Sequence, residues 1–126
     1  MTPPAVLIVD DEDDIREVAR MALEVVAGWT THTASSGEEG QLLASSLQPD
    51  VILLDVMMPG LDGPATLGRL RTDPATASIP VVFLTAKTQA SDVEALENIG
   101  AKAVLAKPFD PLTLADSLAE IMEWQR

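Results

Sequence analysis

Short apolar runs alternate with helix-like stretches along the whole length of the 126-residue chain. Five of these runs have the length and composition of β-strands: Ala5–Val9, Trp29–Ala34, Val51–Leu54, Val81–Leu84 and Ala103–Ala106. The first, third and fourth are continuously apolar, which predicts strands that are buried on both faces of a parallel sheet. The second run is more polar, and it therefore predicts a strand at the edge of the sheet.

Helical spacing of apolar residues follows each predicted strand. In the first helix the apolar face is predicted to consist of Ile15, Val18, Ala19, Ala22, Val25 and Val26, and Gly28 is predicted to end it. The other predicted helix starts are a Ser36–Glu39 capping box, Pro64, a Ser91–Glu94 capping box and Asp110-Pro111.

Five strands that are each followed by a helix predict an α/β fold. The sheet is expected to be parallel and doubly wound, with helices on both faces, because right-handed crossovers leave few other topologies. The length suits one domain over residues 1–126. In such a fold the ligand site lies where the carboxyl ends of the strands meet.

The composition excludes several classes of partner. Eight Lys and Arg residues against twenty Asp and Glu argue against binding to nucleic acid or to an anionic membrane. The start of the chain has no basic segment, and the apolar run Ala5–Val9 is too short for a signal peptide or a membrane span. We therefore expect a soluble, cytoplasmic protein.

Polar residues stand at four of the five predicted strand ends. A run of acids begins at Asp10 after the first strand, and Asp55 ends the third. Thr85 ends the fourth strand, and Lys107 follows the fifth. Each of these residues alone has an ordinary explanation, such as a helix cap, a loop carboxylate or a surface charge. Their order along the chain instead predicts one shared crevice.

The chemistry of this crevice suits a phosphoryl group and a hard cation. Asp10, Asp11 and Asp55 would repel one another unless a cation joined them, and oxygen ligands are those that Mg²⁺ takes. A carboxylate is also a competent nucleophile toward phosphorus. Lys107 and Thr85 supply the positive charge and the hydroxyl donor that stabilise a phosphoryl group in transfer.

These segments together resemble the response-regulator receiver family of two-component signalling. The resemblance is carried by Val9-Asp10-Asp11, Asp55-Val-Met-Met-Pro59-Gly60-Leu-Asp62-Gly63, Leu84-Thr85-Ala86 and Ala106-Lys107-Pro108-Phe109. It extends from about Ala5 to the end of the chain. The resemblance implies a five-stranded (βα)5 sheet with the flavodoxin-like order 2-1-3-4-5, which chemotaxis receivers are known to share with flavodoxin.

The resemblance also implies the roles of the acidic residues. Asp55 is expected to be the phosphoacceptor. Asp10 and Asp11 are expected to bind Mg²⁺ together with Asp55 and the backbone carbonyl of Met57.

Thr85 and Lys107 are expected, by the same resemblance, to contact the phosphoryl oxygens. A cis peptide bond before Pro108 is expected as well. One position departs from the family pattern: Val104 stands three residues before Lys107, where family members usually carry Tyr or Phe. The usual inward movement of an aromatic ring during switching is therefore not expected here.

The implied function is a switch rather than an enzyme with a separate substrate. The donor would be a phosphohistidine on a histidine kinase or a histidine phosphotransfer protein, and the receiver would catalyse its own phosphotransfer and dephosphorylation. No output segment follows the receiver region in this sequence, so the signal would pass to an unknown downstream protein by contacts or by onward relay. The alternative is that the chain is a piece of a larger regulator or hybrid kinase.

Three other functions compete with this interpretation. A haloacid-dehalogenase-type phosphohydrolase would carry a second Asp where this chain has Met57, which cannot move a proton. A flavodoxin-like cofactor binder would need a phosphate loop where Asp10–Asp14 would repel phosphate. A receiver-like module without phosphorylation would usually lack the acid pair, the acceptor or the lysine, and all are present.

Overall fold

A computed structural model describes residues 2–125. Strands and helices alternate along the chain in the order β1 Ala5–Val9, α1 Asp13–Met21, β2 Thr30–Ala34, α2 Gly37–Leu47, β3 Val51–Asp55, α3 Gly63–Thr72, β4 Val81–Thr85, α4 Ala90–Asn98, β5 Ala103–Ala106 and α5 Leu114–Met122. The five strands form one parallel sheet in the order β2-β1-β3-β4-β5. The predicted fold class and strand order are confirmed.

The centre of the sheet is almost entirely apolar. Every residue of β3 and β4 is buried, and so are four of the five residues of β1, whereas β2 and β5 are partly exposed edges. Successive residues of a strand face opposite sides, so the central strands serve two cores. Helices α1 and α5 cover one core, and α2 and α3 cover the other.

The first helix departs from its predicted face. After Met21 the chain continues as a π-helical turn, Ala22–Val26, whose wider winding rotates the residues that follow. Leu23 is fully buried, while Val25 is 76% exposed. The prediction that Val18, Val25 and Val26 lie inward is therefore wrong, although Gly28 ends the segment at a positive φ of 74°.

Two of the predicted helix starts are confirmed. The hydroxyl of Ser36 accepts a hydrogen bond from the backbone N–H of Glu39, although the Glu39 carboxylate accepts from Ser35 rather than from Ser36 itself. Pro64 lies in the first turn of α3, where Asp62 is the N-cap and accepts from the backbone N–H of Ala65 at 2.8 Å.

The other two starts are wrong. Helix α4 begins at Ala90 after Gln89, without a side-chain cap, so the predicted Ser91–Glu94 capping box does not form. Asp110 opens a separate turn by accepting the backbone N–H of Leu112, and α5 begins only at Leu114. The local sequence at both sites supports a turn as well as a helix.

Among the described residues, no helix combines the length and the apolar character needed to cross a bilayer.

The turn after β3 brings α3 very close to the end of that strand. The backbone N–H of Gly63 donates to the carbonyl of Val56 at 2.9 Å. A Cβ at Gly63 would lie 2.4 Å from the carbonyl oxygen of Asp55 and 2.9 Å from the Phe83 ring. Only glycine fits this contact, which fixes the backbone on which Asp55 stands.

Replacement of this glycine should show how tight the contact is. We expect Gly63→Ala to lower the free energy of unfolding by about 2–3 kcal/mol, because backbone atoms and a buried ring must move. Gly68→Ala, in the same helix, meets nothing within 4 Å and should stabilise by about 0.5–1 kcal/mol through helix propensity. Urea unfolding of both variants tests this, and similar effects at the two positions would contradict the packing argument.

Candidate functional site

The four strand ends that the sequence singled out meet in one crevice. Asp10 directly follows β1, Asp55 ends β3, Thr85 ends β4 and Lys107 directly follows β5. Parallel pairing continues into these residues, since the backbone N–H of Lys107 donates to the carbonyl of Thr85 at 2.9 Å. The sheet therefore sets the mutual positions of the side chains.

Three carboxylates in this crevice are close enough to share a cation. Asp10, Asp11 and Asp55 each place an oxygen within 4.8 Å of the others. Asp10 is completely buried, and Asp55 is 3% exposed. One oxygen of Asp55, Oδ2, is buried with no hydrogen-bond partner among the described residues. An all-oxygen set with an unsatisfied carboxylate oxygen fits Mg²⁺.

Lys107 supplies the positive charge of the crevice. Its Nζ lies 2.9 Å from Asp10 Oδ2 and 3.3 Å from Asp55 Oδ1. Glu12 Oε1 is farther away, at 3.7 Å, and belongs to a side chain that is 61% exposed. Burial opposes the charge on Lys107, but the hydrogen bond and the charges of Asp10 and Asp55 raise its pKa. The lysine is thus held as a cation between the two buried acids.

One lysine does not neutralise two buried acids. Burial, together with the charge of Asp10, raises the pKa of Asp55 from an ordinary 3.8 to about 6. Lys107 and the backbone N–H of Met57 act in the opposite direction without cancelling this effect. The ionised Asp55 is therefore in an unfavourable environment until a further positive group reaches it.

Thr85 connects the crevice to the loop after β4. Its side chain is buried, and its Oγ1 accepts a hydrogen bond from the backbone N–H of Lys87 at 3.0 Å. A movement of this hydroxyl would therefore act directly on the backbone of the loop.

Two residues around the crevice were not singled out by sequence reasoning. The backbone N–H of Glu12 donates to Asp10 Oδ1 at 2.9 Å, and Arg16 Nη1 donates to the carbonyl oxygen of Asp10 at 2.7 Å. Arg16 also forms an ion pair with Asp13, three residues earlier in the chain. This spacing is the only sequence signal that could have pointed to Arg16, and it is equally typical of an ordinary ion pair on a helix surface. Both contacts fix the position of Asp10.

Three further residues were singled out by the sequence: Pro108, Val104 and Met57. The Lys107–Pro108 peptide bond is cis, as expected. Val104 is half-buried on β5 and packs against the core that contains Phe83. The Met57 side chain is 69% exposed, and the metal contact of its carbonyl stays a prediction.

Comparison with known proteins identifies the family of this chain. Residues 6–119 match the response regulator receiver domain. The chain belongs to this family. Receivers of this family generally bind Mg²⁺ at an acidic cluster and act as signalling switches that histidine kinases phosphorylate.

The receiver is similar to parts of larger regulators. It is 45% identical over 107 residues to the DNA-binding dual master transcriptional regulator RpaA of Synechocystis sp., covering 85% of this chain and 44% of that protein. It is 37% identical to the phosphate regulon transcriptional regulatory protein PhoB of Pseudomonas aeruginosa, covering 97% of this chain and 53% of that protein. The chain thus spans about half the length of these curated relatives.

Solved receivers share its fold over nearly their full length. The chemotaxis response regulator CheY4 of Vibrio cholerae has a TM-score of 0.88 and 32% identity, covering 95% of this chain and 99% of that chain. The N-terminal domain of a response regulator receiver protein from Methanoculleus marisnigri has a TM-score of 0.78 and 34% identity, covering 97% and 98%.

The unfavourable charge on Asp55 should lower the free energy of unfolding. The raised pKa of Asp55 means that its ionisation destabilises the folded, metal-free receiver most above pH 6 and not at all well below 3.8. We expect Asp55→Asn to raise the free energy of unfolding on the order of 2–3 kcal/mol near pH 7.5 in chelator. The gain should fall to about half near pH 5, as measured by urea unfolding.

Asp73→Asn is the matched control. Asp73 is partly exposed and its side chain accepts a hydrogen bond from the backbone N–H of Ala75, a bond that the amide oxygen of Asn can keep. This variant should change stability by less than about 0.5 kcal/mol at either pH. A metal-free Asp55→Asn protein no more stable than the wild type near pH 7.5 would contradict the electrostatic account.

Proposed function

We propose that this receiver accepts a phosphoryl group on Asp55 from a phosphohistidine, with Mg²⁺ bound beside it. The observation that supports this most strongly is the state of the Asp55 carboxylate. One of its oxygens is paired with Lys107, and the other is buried without a partner among the described residues. A carboxylate in that state has lone pairs available for a metal ion and for phosphorus.

The proposed transfer forms one bond and breaks another. A carboxylate oxygen of Asp55 attacks the phosphorus of the phosphohistidine, and the P–N bond breaks as the new O–P bond forms. The donor imidazole leaves and takes up a proton, and Asp55 becomes an acyl phosphate. The reverse reaction, or attack by water on phosphorus, returns the carboxylate.

Charge stabilisation is the main contribution of the neighbouring residues. Lys107 is already directed at Asp55 Oδ1, and it would meet a phosphoryl oxygen there. The Thr85 hydroxyl would donate to another oxygen. Mg²⁺, held by Asp10, Asp11, Asp55 and the carbonyl of Met57, would neutralise the charge that the phosphoryl group brings.

The receiver would act as one unit and signal through other proteins. We propose that residues 1–126 form a single receiver domain, self-catalysing in transfer and loss of the phosphoryl group. A downstream protein would read it by contact or accept the phosphoryl group in relay. The net charge of −12 argues against direct contact of this domain with nucleic acid.

An exposed apolar patch on α1 and the π-helical turn after it offers a place for the phosphodonor. Val18, Met21, Val25 and Val26 are 40–76% exposed, and together with Pro111 they line a depression of about 300 Å³. Large exposed apolar patches usually mark interaction sites. Helix α1 is tied to the site at Asp10 and Pro111 follows closely on Lys107, so a donor docked on the patch would lie beside the crevice.

Phosphorylation by a small donor tests the acceptor directly. Acetyl phosphate with Mg²⁺ should add one phosphoryl group to the wild type, detected by intact mass, and chelation should abolish the addition. Asp55→Asn should remain unlabelled. Equal labelling of the wild type and Asp55→Asn would reject the assignment.

The donor patch can be tested separately from the chemistry. Val25→Glu should slow phosphotransfer from a histidine phosphotransfer protein that labels the wild type by about tenfold or more, because it puts a charge in an apolar contact. Labelling by acetyl phosphate should be unchanged. Leu42→Glu is the control, since Leu42 is equally exposed, at 73%, but lies on α2. Equal transfer rates for the two variants would contradict donor docking on the patch.

The phosphorylated state would be read mainly at the loop after β4. Thr85 can move toward the phosphoryl group, and its bond to Lys87 would transmit that movement to the loop. Val104 has no ring to move and is stiff about χ1. A ligand shifts an equilibrium only through contacts that differ between the two states. We therefore propose that partners sense the loop and the charge at Asp55 more than the face of α4, β5 and α5.

Amide exchange with and without beryllofluoride, a mimic of the phosphoryl group, tests this proposal. The largest changes should occur at residues Ala86–Ser91. Changes of the same size at Leu112–Leu118 would show that the face of α4, β5 and α5 responds fully to the phosphoryl group at Asp55. In that case the valine at position 104 would not limit the switch. Asp55→Asn should show neither change and serves as the control.

A further inference from the structure

Arg16 fastens the acidic segment that follows β1, residues 10–13, to helix α1. Its Nη1 reaches back past the start of the helix and donates to the carbonyl oxygen of Asp10 at 2.7 Å. Its Nη2 pairs with the carboxylate of Asp13, a side chain that is 90% exposed. The Arg16 side chain itself is only 18% exposed, so it lies along the segment instead of extending into water.

The bond from Arg16 completes the surroundings of a buried acid. Asp10 is completely buried, and its N–H donates to the carbonyl of Ala34 at 3.1 Å. Its two carboxylate oxygens accept from the N–H of Glu12 and from Lys107, both at 2.9 Å. A buried carbonyl without a partner would cost free energy, and Arg16 supplies that partner. Asp10 is therefore held by all of its polar groups.

The same bond controls the position of the second acid. The carbonyl of Asp10 and the N–H of Asp11 belong to one planar peptide unit, so a fixed carbonyl oxygen fixes the plane from which Asp11 continues. The Asp11 side chain makes no hydrogen bond or ion pair with the residues that the structure describes, although one of its oxygens lies within 4.8 Å of oxygens of Asp10 and Asp55. Its position thus depends on the backbone that Arg16 holds.

We propose that Arg16 is a positioning residue that makes the proposed metal site prefer Mg²⁺ to Ca²⁺. Mg²⁺ demands near-ideal octahedral geometry at about 2.0–2.1 Å, whereas Ca²⁺ accepts flexible geometry and longer bonds of about 2.3–2.6 Å. Donor atoms that cannot move apart favour the smaller ion, and a loosened segment can open to fit the larger one. This role rests on the proposed Mg²⁺ site and assigns its selectivity to a residue outside the set of metal ligands.

The charge of Arg16 acts in the opposite direction, which separates positioning from electrostatics. A positive side chain repels any cation in the crevice, so on charge alone its removal would strengthen the binding of Mg²⁺ and of Ca²⁺. Both ions carry two charges, so this effect cancels in the ratio of their affinities. A lower Mg²⁺ affinity together with a lower Mg²⁺/Ca²⁺ ratio is therefore the signature of lost positioning.

Titration with magnesium chloride and, separately, with calcium chloride, followed by backbone amide NMR shifts, measures both affinities. Arg16→Met should weaken Mg²⁺ binding about tenfold and Ca²⁺ binding less than about threefold. Arg20→Met is the matched control, because Arg20 lies one turn further along α1 and pairs with Glu17 and Glu24. It removes the same charge and should change either affinity less than about twofold.

Two further measurements keep a weakened fold from being mistaken for lost positioning. Arg16→Lys can still donate to the Asp10 carbonyl, and its Mg²⁺/Ca²⁺ ratio should lie between those of the wild type and Arg16→Met. In chelator, the N–H of Glu12, which donates to Asp10 Oδ1, should exchange at least about fivefold faster in Arg16→Met than in the wild type. The dispersion of the amide spectrum reports directly that each variant is folded.

An unchanged Mg²⁺/Ca²⁺ ratio in Arg16→Met, or tighter binding of both ions, would overturn the positioning role and leave the proposed function intact. An equal drop of the ratio in Arg20→Met would show an effect of charge or of helix stability and would overturn it as well. Unchanged exchange at Glu12 would contradict it without any metal present. A wild type that binds neither ion would instead reject the Mg²⁺ site, and with it both the proposed function and the role of Arg16.

Discussion

The ion cluster of Lys107 with Asp10 and Asp55 is the interaction on which the site depends. Two buried carboxylates on neighbouring strands are stable only with a cation between them, and Lys107 lies within 3.3 Å of both. The lysine neutralises one charge of two. The remaining negative charge, together with the Asp55 oxygen that has no hydrogen-bond partner among the described residues, gives the crevice an unbalanced charge that a cation can neutralise.

The unbalanced negative charge of the crevice connects stability with function. Conditions that remove this charge, such as a bound divalent cation or a neutral side chain at position 55, would stabilise the fold. The same unfavourable charge makes Asp55 a site for metal and phosphorus. The close contact of Gly63 with the backbone of Asp55, and the bonds of Arg16 and Glu12 to Asp10, keep the two acids from moving apart. The charge repulsion that lowers the stability of the fold therefore remains available to favour the binding of a cation.

Sequence reasoning predicted the sheet and the site better than the helix boundaries. Short continuous apolar runs that alternate with helix-like stretches favour buried strands, and the carboxyl ends of parallel strands converge, so Asp10, Asp55, Thr85 and Lys107 could be placed together. The exposed valines around Val25 could not be predicted, because a π-helical turn depends on packing rather than on apolar spacing. Capping residues such as Ser91 were misleading, since they favour turns and helix starts alike.

The central claim is that Asp55 is the residue that becomes an acyl phosphate. It is tested most directly by labelling the wild type with acetyl phosphate and Mg²⁺, reducing the acyl phosphate with borohydride, and sequencing the peptides by tandem mass spectrometry. Reduction converts a phosphorylated aspartate into homoserine, and the account predicts homoserine at position 55 alone. Homoserine at Asp10 or Asp11, or a stable phosphate on Thr85, would contradict it.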